Sequence, residues 1–485
     1  MSLLDEKIWE EKIFVTGWTK GGSGCQDVVE PATGQVLGKI GVASPDDVFR
    51  AAAQAQVAQL EWAARSPHER AAVLRRAGDL WTEHSNEIAE WIIREAGSIP
   101  AKAELEWHIA AQECYEAAAL PTHPHGTVLP SSEPRWSFAR RRPAGVVSVI
   151  APFNFPLILS IRSVAPALAL GNAVLLKPDP RTSVCGGVAL LRVFQEAGLP
   201  DGLLQLLPGG VDVGEATVTA PEVRVVSFTG STAAGRAVGA LGGQHLKRTH
   251  LELGGNNALI VLPGADVALA ASAGAFGSFL HQGQICMTTG RHLVHASVYD
   301  DYVAALAEKA DHLPVGDPAT GEVALGPIID QKQLGHVDAL VARTVAAGAQ
   351  LAAGGTFEGL FYRPTVLADV EPHMPAYTDE VFGPVAPVVR FSSVEQAIAL
   401  ASGTEYGLSL GVLGDVGTAM RVADAVPSGI VHINEQTVSD EASIPFGGVG
   451  ASGTGSRFGG AEANIEAFTE TQWLTVRDQI APYPF

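Results

Sequence analysis

Cys286 closes the run Gly283-Gln284-Ile285-Cys286, and Glu252 precedes it in Leu251-Glu252-Leu253-Gly254-Gly255. A thiolate nucleophile and a carboxylate base are the two groups needed to form a thioester and then hydrolyse it. Neither is diagnostic alone. Free cysteine is among the most buried residue types, and a lone glutamate is most often solvated. Their settings shift both readings. Gly283 lets the backbone turn sharply, and Thr288, Thr289 and Gly290 follow in a small polar stretch unlike a packed core. Backbone N–H groups in such a turn lower a thiol pKa and supply half of an oxyanion hole. Glu252 lies between leucines, a poor place for a surface charge and a good one for a carboxylate with a raised pKa.

Two further stretches carry chemistry. Asn154 stands in Ala151-Pro152-Phe153-Asn154-Phe155-Pro156, directly after an apolar run. By residue type, a local turn is as good a reading. At the C-terminal edge of a parallel sheet, its amide would instead donate to a developing oxyanion. Phe228-Thr229-Gly230-Ser231-Thr232-Ala233-Ala234-Gly235 joins an apolar run to a helical pattern. It is neither a Walker A loop nor GxGxxG, yet a glycine and a hydroxyl at a helix N-terminus suit a pyrophosphate. Lys177 ends another apolar run and belongs to the same edge.

The elements that must hold these groups alternate. Strands are expected at 146–150, 173–177, 204–207 and 223–228, and helices at 156–170, 183–197, 212–220 and 231–241. That pitch predicts an α/β fold with a parallel, doubly wound sheet. The pattern restarts after Glu252, with strands at 257–261 and 292–295 and helices at 266–281 and 299–310. A second α/β domain with its boundary near residue 251 is the simplest division. Upstream, 18–42 reads as short strands and turns. Ser44-Pro45-Asp46-Asp47 starts a helix that runs to 62, and helix is expected over 66–84 and 86–119. Residues 122–142 form an excursion, with strand-like alternation at 136–143. The tail, 467–476, alternates like an edge strand, and an unpaired edge predicts an oligomer.

The 485 residues fit two or three domains. With 47% hydrophobic and 17% charged residues, the chain has the balance of a well-buried enzyme. A net charge of −20 argues against nucleic acid or an anionic membrane as partner, since both demand basic patches. Cys25, Cys114, Cys185 and Cys286 lie far apart with no CxxC pair, so neither a metal site nor a disulfide framework is expected. A reduced, cytoplasmic compartment fits this usage. The first twelve residues lack the apolar core of a signal peptide, and no apolar run predicts a membrane span.

Together these segments resemble the aldehyde dehydrogenase superfamily. The likeness runs in family order through Glu30-Pro31-Ala32-Thr33-Gly34, the Asn154, Ser231, Glu252 and Cys286 stretches, Glu380-Val381-Phe382-Gly383-Pro384 and Pro445-Phe446-Gly447-Gly448. It is to the non-acylating branch, and within that to bacterial benzaldehyde, salicylaldehyde and vanillin dehydrogenases. The resemblance implies three parts. They are a Rossmann-like dinucleotide-binding domain (1–121 and 143–251), a catalytic domain (252–440) and a small β oligomerisation element (122–142 and 465–485), in a homodimer or homotetramer. It implies Cys286 as nucleophile, Glu252 as general base and Asn154 as oxyanion donor. It places Lys177 at the adenosine ribose, Gly230 and Ser231 at the pyrophosphate, and Glu380 and Phe382 beside the nicotinamide. Ile150, Pro180, Gly209, Phe228, Thr229, Gly235 and Leu253 complete the implied cofactor site. The implied substrate funnel takes Phe155, Leu159, Arg162, Leu280, Ile285, Met287 and Phe446, a mostly apolar lining with one cation that suits an aromatic aldehyde.

Two departures from the family pattern matter. NAD-preferring members usually carry a glutamate three residues after the lysine, where this chain has Pro180 in Lys177-Pro178-Asp179-Pro180-Arg181. Nothing acidic at that position repels a 2′-phosphate, and Arg181 would attract one. The cofactor expected is therefore NAD, with NADP also open. The second departure is Phe458 after Arg457, where many members have a glutamate that assists deacylation; Glu252 is then the only base. Arg162 is more readily a surface charge or a salt-bridge partner than a substrate contact. Outside this family, a thiol-dependent acyl hydrolase or transferase could use the same cysteine and glutamate, and a catalytically silent scaffold could keep the fold.

Overall fold

The computed structural model describes residues 2–485. Ser44 caps the helix Pro45–Ala64 through a reciprocal capping box with Asp47, and Ser66 does the same with Glu69 for the helix Pro67–Glu83. The helix expected over 86–119 is two helices, Ser85–Ala96 and Pro100–Ala119. Gly97 takes a left-handed φ of 64° and Pro100 cannot continue the preceding turn, so the chain breaks there and redirects.

Five parallel strands form the centre of the first sheet. Their spatial order is Arg248–Glu252, Val223–Thr229, Val146–Ile150, Ala173–Lys177 and Leu204–Leu206, with Lys12–Phe14 and Trp18–Lys20 added antiparallel at the far side. The first strand of the five in sequence, Val146–Ile150, lies in the middle. The chain winds outward on one side of it and then returns to the other. The switch point therefore falls between Val146–Ile150 and Val223–Thr229, where ligands of open α/β sheets bind. Ile150, Lys177, Thr229 and Glu252 all end strands at this edge.

Between the strands, the stretch expected as helix at 183–197 opens as a π-helix over Val184–Val188 before the α-helix Ala189–Glu196. The buried carboxylate of Glu95 takes the Val184 and Cys185 N–H groups at 2.9 and 2.7 Å, which accounts for the widened turn. A second seven-stranded sheet holds Asn257–Val261, Thr289–His295, Val385–Phe391, Thr365–Ala368, Ser409–Leu413 and Ile430–Ile433, all parallel, with Gln350–Ala353 antiparallel at one edge.

The third sheet is small and antiparallel: Thr469–Val476, Trp136–Pro143 and Gly126–Val128. Ala467 and Phe468, expected in the last strand, instead finish the helix Ala461–Phe468 and sink into the first core beside Phe458. Their burial under the first sheet outweighs the alternation of the tail. Among the described residues, no helix is long and apolar enough to cross a membrane.

Candidate active site

The nucleophile candidate is presented by an unusual turn. The helix expected to reach residue 281 ends at Phe279, and His281, Gln282 and Gly283 then take left-handed φ values of 48°, 57° and 65° in succession. Left-handed backbone costs about 1–2 kcal/mol at a non-glycine residue, so packing must impose it. Gln282 Nε2 donates to the Gly97 and Pro327 carbonyls at 3.0 and 2.8 Å. Gln284 Oε1 accepts the Ile329 N–H at 3.0 Å. Asn257 Nδ2 donates to the carbonyls of Cys286 and Thr288 at 2.8 and 2.9 Å, which fixes the peptide that carries the thiol. The Cys286 N–H and the Asn154 side-chain amide make no hydrogen bond with the described residues, leaving both free to donate.

Cys286 does not have the lowered thiol pKa expected of such a turn. Burial, followed by the negative charges of Glu380, Glu252 and Asp440, pushes the thiol up to about 12. Nearby N–H groups do not offset three carboxylates in a low-dielectric pocket. The Glu252 carboxylate is itself buried at the end of its strand with neither oxygen hydrogen-bonded. Burial holds its pKa well above the carboxylate range, against the opposing pull of Arg457 and Arg162.

The dinucleotide stretch forms a cradle at the switch point. Ser231 caps the helix Thr232–Gln244, leaving that helix's first N–H groups at the sheet edge. A Cβ on Gly230 would lie 2.6 Å from the Phe228 ring, and one on Gly235 would lie 2.2 Å from Leu253. Gly209 is constrained in the same way by Val213, at 2.4 Å. Lys177 is buried, and desolvation lowers its pKa. Across the cleft, Glu380 Oε1 accepts the Gly255 N–H at 3.0 Å, and burial raises its carboxyl to about 7. Phe382 takes a φ of 51° and sets its ring edge-on to Phe153 at 6.0 Å. Glycines that admit close backbone approach, an open helix N-terminus and a cation at one strand end fit a dinucleotide phosphate and ribose.

Pro180 leaves the ribose edge without a carboxylate, but Arg181 is not free to take a phosphate. Its guanidinium is held by Asp179 at 2.8 Å and by Asp330 at 2.7 Å, and it lies 4.2 Å above the Phe153 ring. A 2′-phosphate would compete with these two carboxylates for Arg181.

Ile285, Met287, Leu408 and Phe446 form one buried apolar cluster, against which Phe155, Leu280, Cys286, Ile430 and Val438 pack. Of the funnel residues named from the sequence, five thus meet around Cys286. Leu159 is half-buried one turn after Phe155, on the same helix face as Arg162. Arg162 is 4% exposed, lies 4.7 Å over the Phe446 ring and pairs with Asp440 and, at 3.3 Å, with Glu113. Its Nη1 is buried with no partner. Arg162 is thus a salt-bridge partner whose guanidinium also covers one ring of the apolar cluster.

Sequence reasoning missed Leu408, Ile430, Val438, Glu113 and Asp440. A signal existed for one of them. Lys102, Glu106 and Glu113 recur on one face of an alanine-rich helix, a spacing that buries charges if that face is the packed one.

Comparison with known proteins bears on this geometry. Residues 18–474 match the aldehyde dehydrogenase family. The chain is 66% identical to a vanillin dehydrogenase of Amycolatopsis sp., with full coverage of both chains. It is 48% identical to an NAD(+) benzaldehyde dehydrogenase of Pseudomonas putida, over 99% of each chain. The crystal structure of a salicylaldehyde dehydrogenase from Pseudomonas putida G7, complexed with salicylaldehyde, superposes with a TM-score of 0.94 at 35% identity, covering 98% of this chain and 99% of that one.

Proposed function

The chain belongs to the aldehyde dehydrogenase family and acts as an NAD(P)-dependent aldehyde dehydrogenase, and on that premise we propose that its substrates are aromatic aldehydes, oxidised to acids through a thioester on Cys286. The observation that carries the substrate reading is the apolar cluster around Cys286, made of Phe155, Leu280, Ile285, Met287 and Phe446, with the Arg162 guanidinium over the Phe446 ring. Such a lining suits a flat ring, and the unpartnered Nη1 of Arg162 offers a donor to a ring substituent.

The chemistry follows from the residues. The Cys286 thiol passes its proton to solvent water, and the thiolate sulfur attacks the aldehyde carbon. The resulting oxyanion is held by the Asn154 amide and the Cys286 N–H. Bound NAD(P) supplies the acceptor for the hydride that leaves this carbon. The carbonyl re-forms as a thioester on Cys286. Glu252 takes a proton from water, hydroxide adds to the thioester, and the acid departs as the sulfur leaves. Lys177, Gly230 and Ser231 would hold the ribose and pyrophosphate, with Ile150, Pro180, Gly209, Phe228, Thr229, Gly235 and Leu253 shaping the cradle; Glu380 and Phe382 would serve the nicotinamide side. NAD is the preferred form, because Asp179 and Asp330 already occupy Arg181. A cofactor-independent acyl hydrolase has no use for this cradle.

The three sheets fit the division into a dinucleotide-binding part, a catalytic part and an oligomerisation element, with the free edge of Thr469–Val476 joining copies into a dimer or tetramer. Following reduced nicotinamide with benzaldehyde, its hydroxylated and methoxylated forms, and aliphatic aldehydes tests the substrate class. Aromatic aldehydes should give the higher kcat/KM. Equal or better values for aliphatic aldehydes would overturn the aromatic reading.

A further inference from the structure

Beneath the Asn154 loop lies an ion pair that the chemistry above does not use. Lys102 and Glu106, one turn apart on the helix Pro100–Ala119, form a salt bridge with side chains 1% and 0% exposed. Lys102 Nζ also donates to the backbone carbonyl of Asn154 at 2.7 Å and lies 4.4 Å from the Phe155 ring. Glu106 Oε2 accepts the N–H groups of Leu157 and Ile158 at 3.0 and 3.3 Å, in the first turn of the helix that begins at Pro156. The pair therefore grips the Asn154 loop at two points, one before Phe155 and one after it. His281, both of whose ring nitrogens lack a partner, sets its ring edge-on to Phe155 at 5.6 Å and links this grip to the turn that carries Cys286.

Burying such a pair gains little stability, because desolvation offsets the attraction. What it does supply is direction: the Asn154 carbonyl is pinned, while the side-chain amide on the same residue is left free. We propose that Lys102–Glu106 is a positioning device that aims the Asn154 amide at the oxyanion formed on the Cys286 adduct, an inference that rests on the role given to Asn154 above. Neither residue touches substrate; both act through Asn154.

The test is a double-mutant cycle on the rate of the first hydride transfer, measured in a single turnover. Lys102→Met is the direct variant. Lys102→Met/Glu106→Gln is the safer one, since it removes both charges and keeps an acceptor for the Leu157 and Ile158 N–H groups. Asn154→Ala should slow acylation by roughly 10²–10³-fold. The double variant should slow it by roughly 10–100-fold, the scale of a small misplacement. NAD affinity, read by quenching of protein fluorescence, should be unchanged. Combined with Asn154→Ala, the double variant should cost nothing further, because the group it aims is gone. Multiplicative losses, or a double variant with the wild-type acylation rate, would overturn the positioning role. If Asn154→Ala itself acylates at the wild-type rate, the assignment of Asn154 fails first and the proposal falls with it.

Discussion

Glu252 shows why residue type alone underdetermines chemistry. A glutamate at a strand end with both oxygens unpartnered would be an error in a structural core. In a site beside a thiol it suits the base proposed above. Because its pKa is raised by burial, the proton is held at acid pH and released as pH climbs, so the unprotonated form that activates water grows with pH. The kcat should therefore rise with pH along a single limb, and that limb should be absent in Glu252→Gln; pH profiles of the two proteins check this. Arg181 gives a second residue-scale prediction. Asp330→Asn frees one face of the guanidinium, and kcat/KM for NADP should rise relative to NAD, while NAD kinetics stay close to wild type.

At the scale of elements, the turn 281–283 and the switch-point strands do the positioning. Gly283 has a φ of 65°, and a Cβ there would lie 2.1 Å from the Gly383 carbonyl oxygen. Gly283→Ala should cost about 2–4 kcal/mol from left-handed strain plus overpacking, seen as a lowered midpoint in urea unfolding. The sheets themselves were legible: apolar runs at 146–150, 173–177 and 257–261 are buried strands because both faces are covered. Other features were not. The π-turn at Val184–Val188 depends on a partner distant in sequence, Glu95. Lys102, Glu106 and Glu113 hide in an alanine-rich helix, and only the packing of the helix Pro156–Ala169 against that face shows them to be buried. The raised thiol pKa is hidden for the same reason: burial by the surrounding fold, and then Glu380, Glu252 and Asp440 from remote segments, produce it, and the turn alone gives no account of them.

At the scale of the whole molecule, the small antiparallel sheet carries an unpaired edge at Thr469–Val476. Thr469–Val476 pairs with Trp136–Pro143 on one side only, and Trp473 and Trp136 are 65% and 66% exposed. An exposed aromatic on a free strand, beside another on the strand it pairs with, is the surface proposed above to join copies. Light scattering should report an oligomer, and Trp473→Glu should shift it to smaller species. The central claim is that Cys286 carries an acyl group destined for water activated by Glu252, with Phe458 offering no second base. The most direct test is rapid mixing of Glu252→Gln with NAD and an aromatic aldehyde. A burst of reduced nicotinamide of about one per active site, followed by slow turnover, is the predicted result. Loss of the burst together with turnover would contradict it, because Glu252 would then act before the thioester forms.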